Sequence, residues 1–263
     1  MAAAIGQFFD LLEIFNRNGY PSDTHHYLFN GDFVDRGSWS TEIALLLYAY
    51  KWLRPKQFFL NRGNHETDDM NRVYGFEGEC KAKYNERLFK VFSESFSALP
   101  LATVIGKKYF VVHGGLFSDD NVSLDDIRKL NRHTQKQPGQ QGLMMEMLWT
   151  DPQTAKGRGP SKRGVGMQFG PDVTKRFCEK NGLEAIIRSH EVRMEGYEVE
   201  HDGRCITGMD ALSPILVSVL IVKLCRELLA DSIFFFPCNQ CFPRLDIATV
   251  RKIREHTSTS APA

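Results

Sequence analysis

The chain has 263 residues, of which 42% are hydrophobic and 25% are charged, and its formal net charge is +1. This length suits one large domain or two small ones and allows a substantial buried core. A nearly neutral chain gives no support for binding to nucleic acid or another polyanion. The six cysteines form no dense framework and no signal peptide is recognisable, so we expect a reducing compartment, either cytoplasm or nucleus.

The first predicted elements lead into a loop rich in charged residues. Apolar residues at helical spacing predict a helix that includes Phe8 and Phe15, and the apolar run 26–29 predicts a buried strand. Asp32, Asp35 and Arg36 follow on a glycine-containing loop, before a helical pattern over 39–52. Open α/β sheets place their chemistry at the carboxyl ends of strands. Oxygen ligands suit a divalent cation and arginine suits a phosphate, so this loop predicts a metal-dependent phosphoester hydrolase.

The same arrangement, an apolar strand followed by a loop with polar side chains, recurs three times downstream. The predicted strand 56–60 is followed by Asn64 and His65, the strand 108–112 by His113, and the strand 183–187 by His190. A single histidine of this kind is more often an ordinary buried or surface residue, but the repetition favours a site. Because the carboxyl ends of neighbouring strands converge, we expect Asp32 and the three later strand ends to hold one Mn, Fe or Zn ion. His65 beside them is placed to donate a proton.

A basic loop lies between the third and fourth strand ends. Residues 151–164 contain four cations and three glycines. Such a loop can cap an anionic substrate, although a solvated surface position is the commoner role for any one cation. Spacing alone does not distinguish Arg163 from the other three.

Taken together, these motifs resemble the phosphoprotein phosphatase family of metal-dependent serine/threonine phosphatases. The resemblance is carried by the sequences at 31–37, 63–66, 113–115 and 188–191, and the segments 162–165 and 169–172 are most similar to its protein phosphatase 5 subfamily. It extends from about Gly6 to Thr207. The resemblance implies an α/β fold, a metallophosphoesterase (calcineurin-like) central β-sandwich flanked by helices, here incomplete at both ends. It also implies hydrolysis of phosphoserine and phosphothreonine in proteins by a metal-activated water at a dinuclear site.

The family pattern assigns roles to residues of this chain. It implies two divalent metal ions, Mn, Fe or Zn, bridged by one aspartate. The implied assignments are Asp32 as the bridge, Asn64, His113 and His190 on the second ion, His65 as general acid oriented by Asp35, and Arg36, Arg163 and Asn64 on the phosphate.

Two departures from the family pattern bear on activity. The family's Gly-Asp-x-His-Gly motif falls on 2–6, where its aspartate is Ala3 and its histidine is Ile5. We therefore expect only the second metal site to be intact. The match also ends at Thr207, and the family tyrosine near the phosphate falls on Pro214. This predicts a catalytic domain over 1–207 that lacks its first strand and first metal motif, a divergent and poorly ordered tail over 208–263, and marginal folding in isolation.

Three functions remain open on these grounds. The first is a serine/threonine protein phosphatase acting on phosphoproteins. The second is a catalytically impaired relative that binds phosphoproteins or phosphatase partners, and the third is a metallophosphoesterase for small phosphoesters or nucleotides. The apolar run 215–222 is shorter than the ~20 residues of a membrane span, so we expect none. Oligomeric state is not predicted.

Overall fold

A computed structural model of the protein describes residues 7–193 and 195–208. Ala3 and Ile5, the two departures in the first metal motif, lie outside these residues, and so does the predicted tail except for Gly208. The helices are α1 (Phe8–Asn18), α2 (Ser40–Leu53), α3 (Asp68–Tyr74), α4 (Phe76–Lys83), α5 (Glu86–Ala98), α6 (Leu124–Arg128), α7 (Leu143–Trp149) and α8 (Pro171–Asn181). The strands are β1 (Tyr27–Asn30), β2 (Phe58–Asn61), β3 (Ala102–Ile105), β4 (Tyr109–Val112), β5 (Asp151–Pro152), β6 (Arg158–Pro160), β7 (Met167–Phe169), β8 (Ala185–Arg188), β9 (Tyr197–Glu200) and β10 (Cys205–Gly208).

Three sheets carry the predicted strand ends and the basic loop. β1 and β2 pair in parallel, and β5, β7 and β6 form a small sheet. The largest sheet has the order β3-β4-β8-β10-β9, in which β4, β8 and β10 run parallel and the two outer strands run antiparallel to their neighbours. The four predicted strands therefore correspond to β1, β2, β4 and β8.

Buried asparagines join the β1–β2 pair to the larger sheet. Asn30 Nδ2 donates to the carbonyl of Val112 at 2.8 Å, and Asn61 Nδ2 donates to the carbonyl of Val111 at 3.4 Å. Thr103 Oγ1 donates to Asn61 Oδ1 at 2.8 Å. These buried hydrogen bonds hold the ends of β1, β2 and β4 side by side.

Apolar side chains fix the helices against these strands. Leu11, Ile14 and Phe15 on α1 are buried, as the helical spacing predicts. Between Cys80 and Leu99 the chain completes α4 and then forms α5, with a break between the two helices. The break occurs where Asn85 Oδ1 accepts a hydrogen bond from the backbone N–H of Leu88 at 3.0 Å and caps α5. Within the described residues, no helix combines the length and hydropathy needed to cross a membrane.

Candidate functional site

The loops after β1 and β2 are packed back to back by two glycines. Gly31 has φ +87°, and a Cβ at this position would lie 2.4 Å from the Cα of Gly63. A Cβ on Gly63 would in turn lie 2.4 Å from Asp32 Oδ1. Only residues without side chains permit this approach, which brings the aspartate of one loop against the backbone of the other.

Four predicted ligand atoms converge between the strand ends. His113 Nε2 lies 2.9 Å from Asn64 Oδ1, 3.3 Å from Asp32 Oδ2 and 3.1 Å from His190 Nδ1. The single-atom ligands of Asp32, His113 and His190 all lie within 4.8 Å of one another, and all three residues are buried. These are the residues that the strand ends predict.

The donor chemistry of this cluster fits a divalent cation. His113 Nδ1 lies 2.7 Å from the carbonyl oxygen of Asn30, so it carries the ring proton. Nε2 faces the acceptor oxygens of Asp32 and Asn64 and can offer its lone pair to a cation bound between them. A metal ion satisfies such converging lone pairs, and mixed nitrogen and oxygen ligands suit Mn, Fe or Zn.

The electrostatic environment favours the protonation states in which His190 and Asp32 can bind a metal ion. Burial, reinforced by the charges of His113 and Arg163, holds the pKa of His190 well below 6.5, so this imidazole is neutral. Burial alone would raise the pKa of Asp32, but His113 and His65 outweigh it and hold that pKa far below its usual range. A neutral imidazole and an ionised carboxylate are the forms that bind metal.

A buried histidine–aspartate pair lies beside this cluster. His65 Nδ1 lies 2.8 Å from Asp35 Oδ2, and both side chains are at most 2% exposed. Asp35 also accepts hydrogen bonds from Asn71 Nδ2 at 3.1 Å and from the backbone N–H of Phe76 at 3.0 Å. Burial opposes the charged form of His65, but the carboxylates of Asp32 and Asp35 outweigh it and raise its pKa above 6.5. The pair is therefore arranged to keep a proton on His65.

Glu66 ties the two loops together. Its carboxyl oxygens accept hydrogen bonds of 2.8 Å from the backbone N–H groups of Asp32, Phe33 and Gly63. Burial and the nearby Asp32 charge raise its pKa to about 7, against the opposing effect of these hydrogen bonds. Glu66 lies within the motif at 63–66, but its role follows from these contacts and not from the motif.

The two predicted phosphate arginines are placed differently. Arg163 is anchored, because its Nε donates to Asp151 Oδ2 at 2.6 Å and its Nη2 donates to the carbonyl of His190 at 2.7 Å. Arg36 is exposed, and its guanidinium lies 5.1 Å from the ring centroid of Tyr74. The same tyrosine ring contacts the His65 ring edge to face, with 5.1 Å between centroids. Arg36 and His65 thus share one aromatic neighbour, while Arg163 adjoins His190 of the cluster.

Several residues of the site escaped sequence analysis. Asn71, Tyr74 and Asp151 belong to no loop that directly follows β1, β2, β4 or β8. Two features of the sequence could have indicated them. Asn71 is a polar residue on the helix after the His65 loop, and Asp151 is the acidic residue at the start of the basic loop. Neither signal is specific without the contacts.

Backbone geometry marks the same positions. Asp32, Asp35, Arg36 and His190 have φ values of 54°, 73°, 54° and 73°. Non-glycine residues rarely occupy this left-handed region, and such strain concentrates at functional sites. Three of these residues, Asp32, Asp35 and His190, have side chains in the cluster or in the pair beside it.

A mixed α/β fold with an aspartate, an asparagine and two histidines converging from parallel strand ends defines a metal-dependent phosphoesterase. Residues 4–194 match the calcineurin-like phosphoesterase family, and the chain belongs to this family. The predicted fold class is thereby confirmed.

Relatives narrow the resemblance to serine/threonine phosphatases. The chain is 88% identical over 206 residues to serine/threonine-protein phosphatase T of Aspergillus oryzae, covering 78% of this chain and 43% of that protein. It is 60% identical over 206 residues to human serine/threonine-protein phosphatase 5, covering 78% of this chain and 41% of that protein. The solved structure of a serine/threonine phosphatase from Saccharomyces cerevisiae, described as similar to human phosphatase PP5, superposes with a TM-score of 0.77 at 53% identity. That match covers 80% of this chain and 65% of the yeast chain.

These relatives confirm the resemblance to phosphoprotein phosphatases. The chain spans less than half the length of the two curated relatives named above.

Proposed function

We propose that this chain hydrolyses phosphoserine and phosphothreonine in proteins. The observation that carries the proposal is the convergence of Asp32, Asn64, His113 and His190 on one buried point beside the His65–Asp35 pair. The high identity to serine/threonine phosphatases supports the substrate class.

The chemistry divides between a bound cation and the side chains around it. A divalent ion held by Asp32, Asn64, His113 and His190 would polarise a phosphoryl oxygen and activate water. His65 gives its proton to the departing serine or threonine oxygen, and Asp35 orients and stabilises the protonated ring. No protein nucleophile is required.

The arginines bind the phosphoryl group. Guanidinium groups stay charged at any pH at which the protein is folded, and each one can bind two phosphate oxygens at once. Arg163 is anchored beside His190, so it presents a fixed positive charge at the edge of the cluster. Arg36 lies against Tyr74 and reaches the phosphate from the side of His65.

A second candidate function follows from the sequence at Ala3 and Ile5. The family pattern places two ligands of the first ion there, and neither side chain can coordinate a metal. Among the described residues, Asp32 is the one ligand that the pattern assigns to that ion. On this alternative, the chain binds phosphoproteins or phosphatase partners with little turnover.

The test is hydrolysis of a phosphoserine peptide by the purified chain with added Mn²⁺. Arg36→Ala prepared in parallel is the blank, and a nucleoside monophosphate is the small-molecule comparison. Release of phosphate from the peptide above the blank supports a protein phosphatase. Activity equal to the blank, with retained peptide binding in a folded sample, supports the non-catalytic alternative, whereas preference for the nucleotide contradicts both.

We also propose a reducing compartment, cytoplasm or nucleus, for this chain. The support is that Cys80, Cys178 and Cys205 are all buried free thiols. Disulfides are uncommon in these compartments. Localisation of a tagged full-length chain by microscopy tests this proposal, and a secreted product contradicts it.

A further inference from the structure

Arg163 shares its carboxylate partner with a second, buried arginine. Arg163 Nε donates to Asp151 Oδ2 at 2.6 Å, and its Nη2 makes a longer contact of 3.4 Å with Oδ1. Asp151 Oδ1 also accepts a hydrogen bond from Arg188 Nη2 at 2.7 Å. Each of the two guanidinium groups therefore makes its shortest contact with Asp151 at a different carboxylate oxygen.

Glu191 supplies the second negative charge in this arrangement. The side chain of Arg188 is 0% exposed, so its charge must be compensated by neighbours. Arg188 Nη1 donates to Glu191 Oε2 at 2.6 Å, and Nε donates to the carbonyl of Gly114 at 2.6 Å. With Glu191 present, Arg188 pairs with Glu191 and with Asp151 Oδ1. Asp151 Oδ2 therefore remains paired with Arg163.

We propose that Glu191 is a positioning residue for Arg163, acting through Arg188 and Asp151. Without its negative charge, Asp151 is the one carboxylate left to Arg188 among the described residues. A bidentate pair between Arg188 and both Asp151 oxygens is then favoured, because it compensates the buried guanidinium best. Arg163, whose side chain is 31% exposed, then loses its bonds to Asp151 and keeps the hydrogen bond from Nη2 to the His190 carbonyl, so its Nε turns toward solvent.

The rest of the ion-pair network provides a matched control. Glu191 Oε2 also accepts a hydrogen bond from Arg193 Nη2 at 3.0 Å, and Arg193 Nε lies 2.6 Å from Glu198 Oε2. Glu198 is half exposed, and its recorded ion pair is with Arg193 rather than with Arg188. Glu198→Gln therefore makes the same chemical change in the same network without removing a carboxylate from Arg188.

The first experiment observes Arg163 directly. In ¹⁵N-labelled protein, the Nε–H signal of Arg163 is assigned by its loss in Arg163→Lys, and its exchange with water is measured. We expect about tenfold faster exchange in Glu191→Gln, which is the scale of one hydrogen bond to a charged group, and wild-type exchange in Glu198→Gln. An unchanged Arg163 signal in folded Glu191→Gln overturns the proposal. Glu191→Met, which also removes the charge, replaces the glutamine variant if that variant does not fold.

The second experiment measures phosphate binding and rests on the proposed function. In Glu191→Gln we expect the KM for a phosphoserine peptide and the Ki of inorganic phosphate to rise roughly tenfold, because a misplaced binding group weakens substrate positioning. The kcat should fall less than the KM rises, as for lost uniform binding. A fall in kcat with unchanged KM and Ki contradicts the role of Glu191. If the wild type has no activity, the proposed function fails, but the signal of Arg163 still decides this proposal.

Discussion

The backbone carbonyl of Asn30 determines how His113 can act. By accepting a hydrogen bond from Nδ1 at 2.7 Å, it fixes the tautomer and leaves the lone pair of Nε2 facing the other ligands. Asp35 has the opposite effect on His65, because a carboxylate partner favours the protonated ring. The group behind each ring thus suits the two histidines to different chemistry, His113 to binding a metal and His65 to holding a proton.

His65→Asn should therefore lower kcat for the phosphoserine peptide about 100-fold, the usual loss for a general acid. The substitution removes the transferable proton while keeping a polar side chain that can bond to Asp35. The measurement is steady-state hydrolysis with Mn²⁺. His133→Asn is the control, since His133 is exposed and should retain wild-type kinetics. A wild-type rate in His65→Asn would remove this histidine from the mechanism.

The convergence of four residues could be predicted from the sequence because each follows its own strand within a few positions. Asp32, Asn64, His113 and His190 need only the rule that parallel strand ends converge. Tyr74 and Asp151 could not be predicted in this way, because their roles depend on which side chain lies opposite them after folding. The roles of Ala3 and Ile5 stay predictions, since these positions lie outside the described residues.

Among the secondary-structure elements, the turns after β1 and β2 depend on each other. Gly31 and Gly63 allow the turns to touch, and Glu66 then receives the N–H groups of Asp32 and Phe33 from across the gap. Neither loop can move without exposing or breaking these buried hydrogen bonds, each of which is costly to leave unmade. The relative positions of Asp32 and Asn64 therefore depend on this contact between the two loops.

Gly63→Ala tests this contact. Its Cβ would lie 2.4 Å from Asp32 Oδ1 and 2.5 Å from the Asp32 backbone nitrogen, so the loop must shift. We expect a loss of about 1–3 kcal/mol in the free energy of unfolding, as for overpacked sites, together with weaker Mn²⁺ binding. Chemical denaturation and calorimetric titration measure the two effects.

Gly78→Ala is the matched control for that substitution. Gly78 lies in α4, and no atom lies within 4 Å of an added Cβ. Alanine is the better helix former by about 1 kcal/mol, so this variant should be as stable as the wild type or more stable. If the two alanine variants had the same free energy of unfolding and the same Mn²⁺ affinity, the loops would be shown to tolerate separation.

The helical period of the sequence does not locate the break between α4 and α5. The apolar positions continue at helical spacing across Tyr84 and Asn85, so the pattern alone does not show where one helix ends and the next begins. The cap formed by Asn85 ends that continuity, because its side-chain oxygen satisfies the N–H of Leu88 at the start of α5. Periodicity reports which residues face the core, whereas a local hydrogen bond decides where a helix starts.

For the molecule as a whole, the buried thiols report the integrity of separate parts of the fold. Burial raises the pKa of Cys80 to about 12, of Cys178 to about 11 and of Cys205 to about 12. The thiolate is the reactive form, so these three cysteines should resist iodoacetamide at pH 8 in the native protein and react after unfolding. Peptide mapping by mass spectrometry checks this for each cysteine. Rapid native labelling of Cys205 alone would show that β10 opens locally.

The last prediction joins the metal cluster to the stability of the whole chain. A ligand that binds only the folded state adds about 2.7 kcal/mol at a concentration 100 times its Kd. For a domain of this size, that corresponds to an increase in Tm of roughly 5–10 °C. We therefore expect Mn²⁺ to raise Tm by this amount in a calorimetric scan and EDTA to reverse the increase. Asp32→Asn should abolish most of the increase because it removes a charged ligand.

Asp69→Asn is the comparison for the metal effect, since the Asp69 side chain is 90% exposed and its ion pair is with Arg72. This variant should keep the full Mn²⁺-dependent increase in Tm. An equal increase in Asp32→Asn would mean that the ion binds elsewhere on the chain. No increase in the wild type would mean that the converging lone pairs of Asp32, Asn64, His113 and His190 do not hold Mn²⁺. Because the scan requires no turnover, it separates loss of metal binding from loss of catalysis.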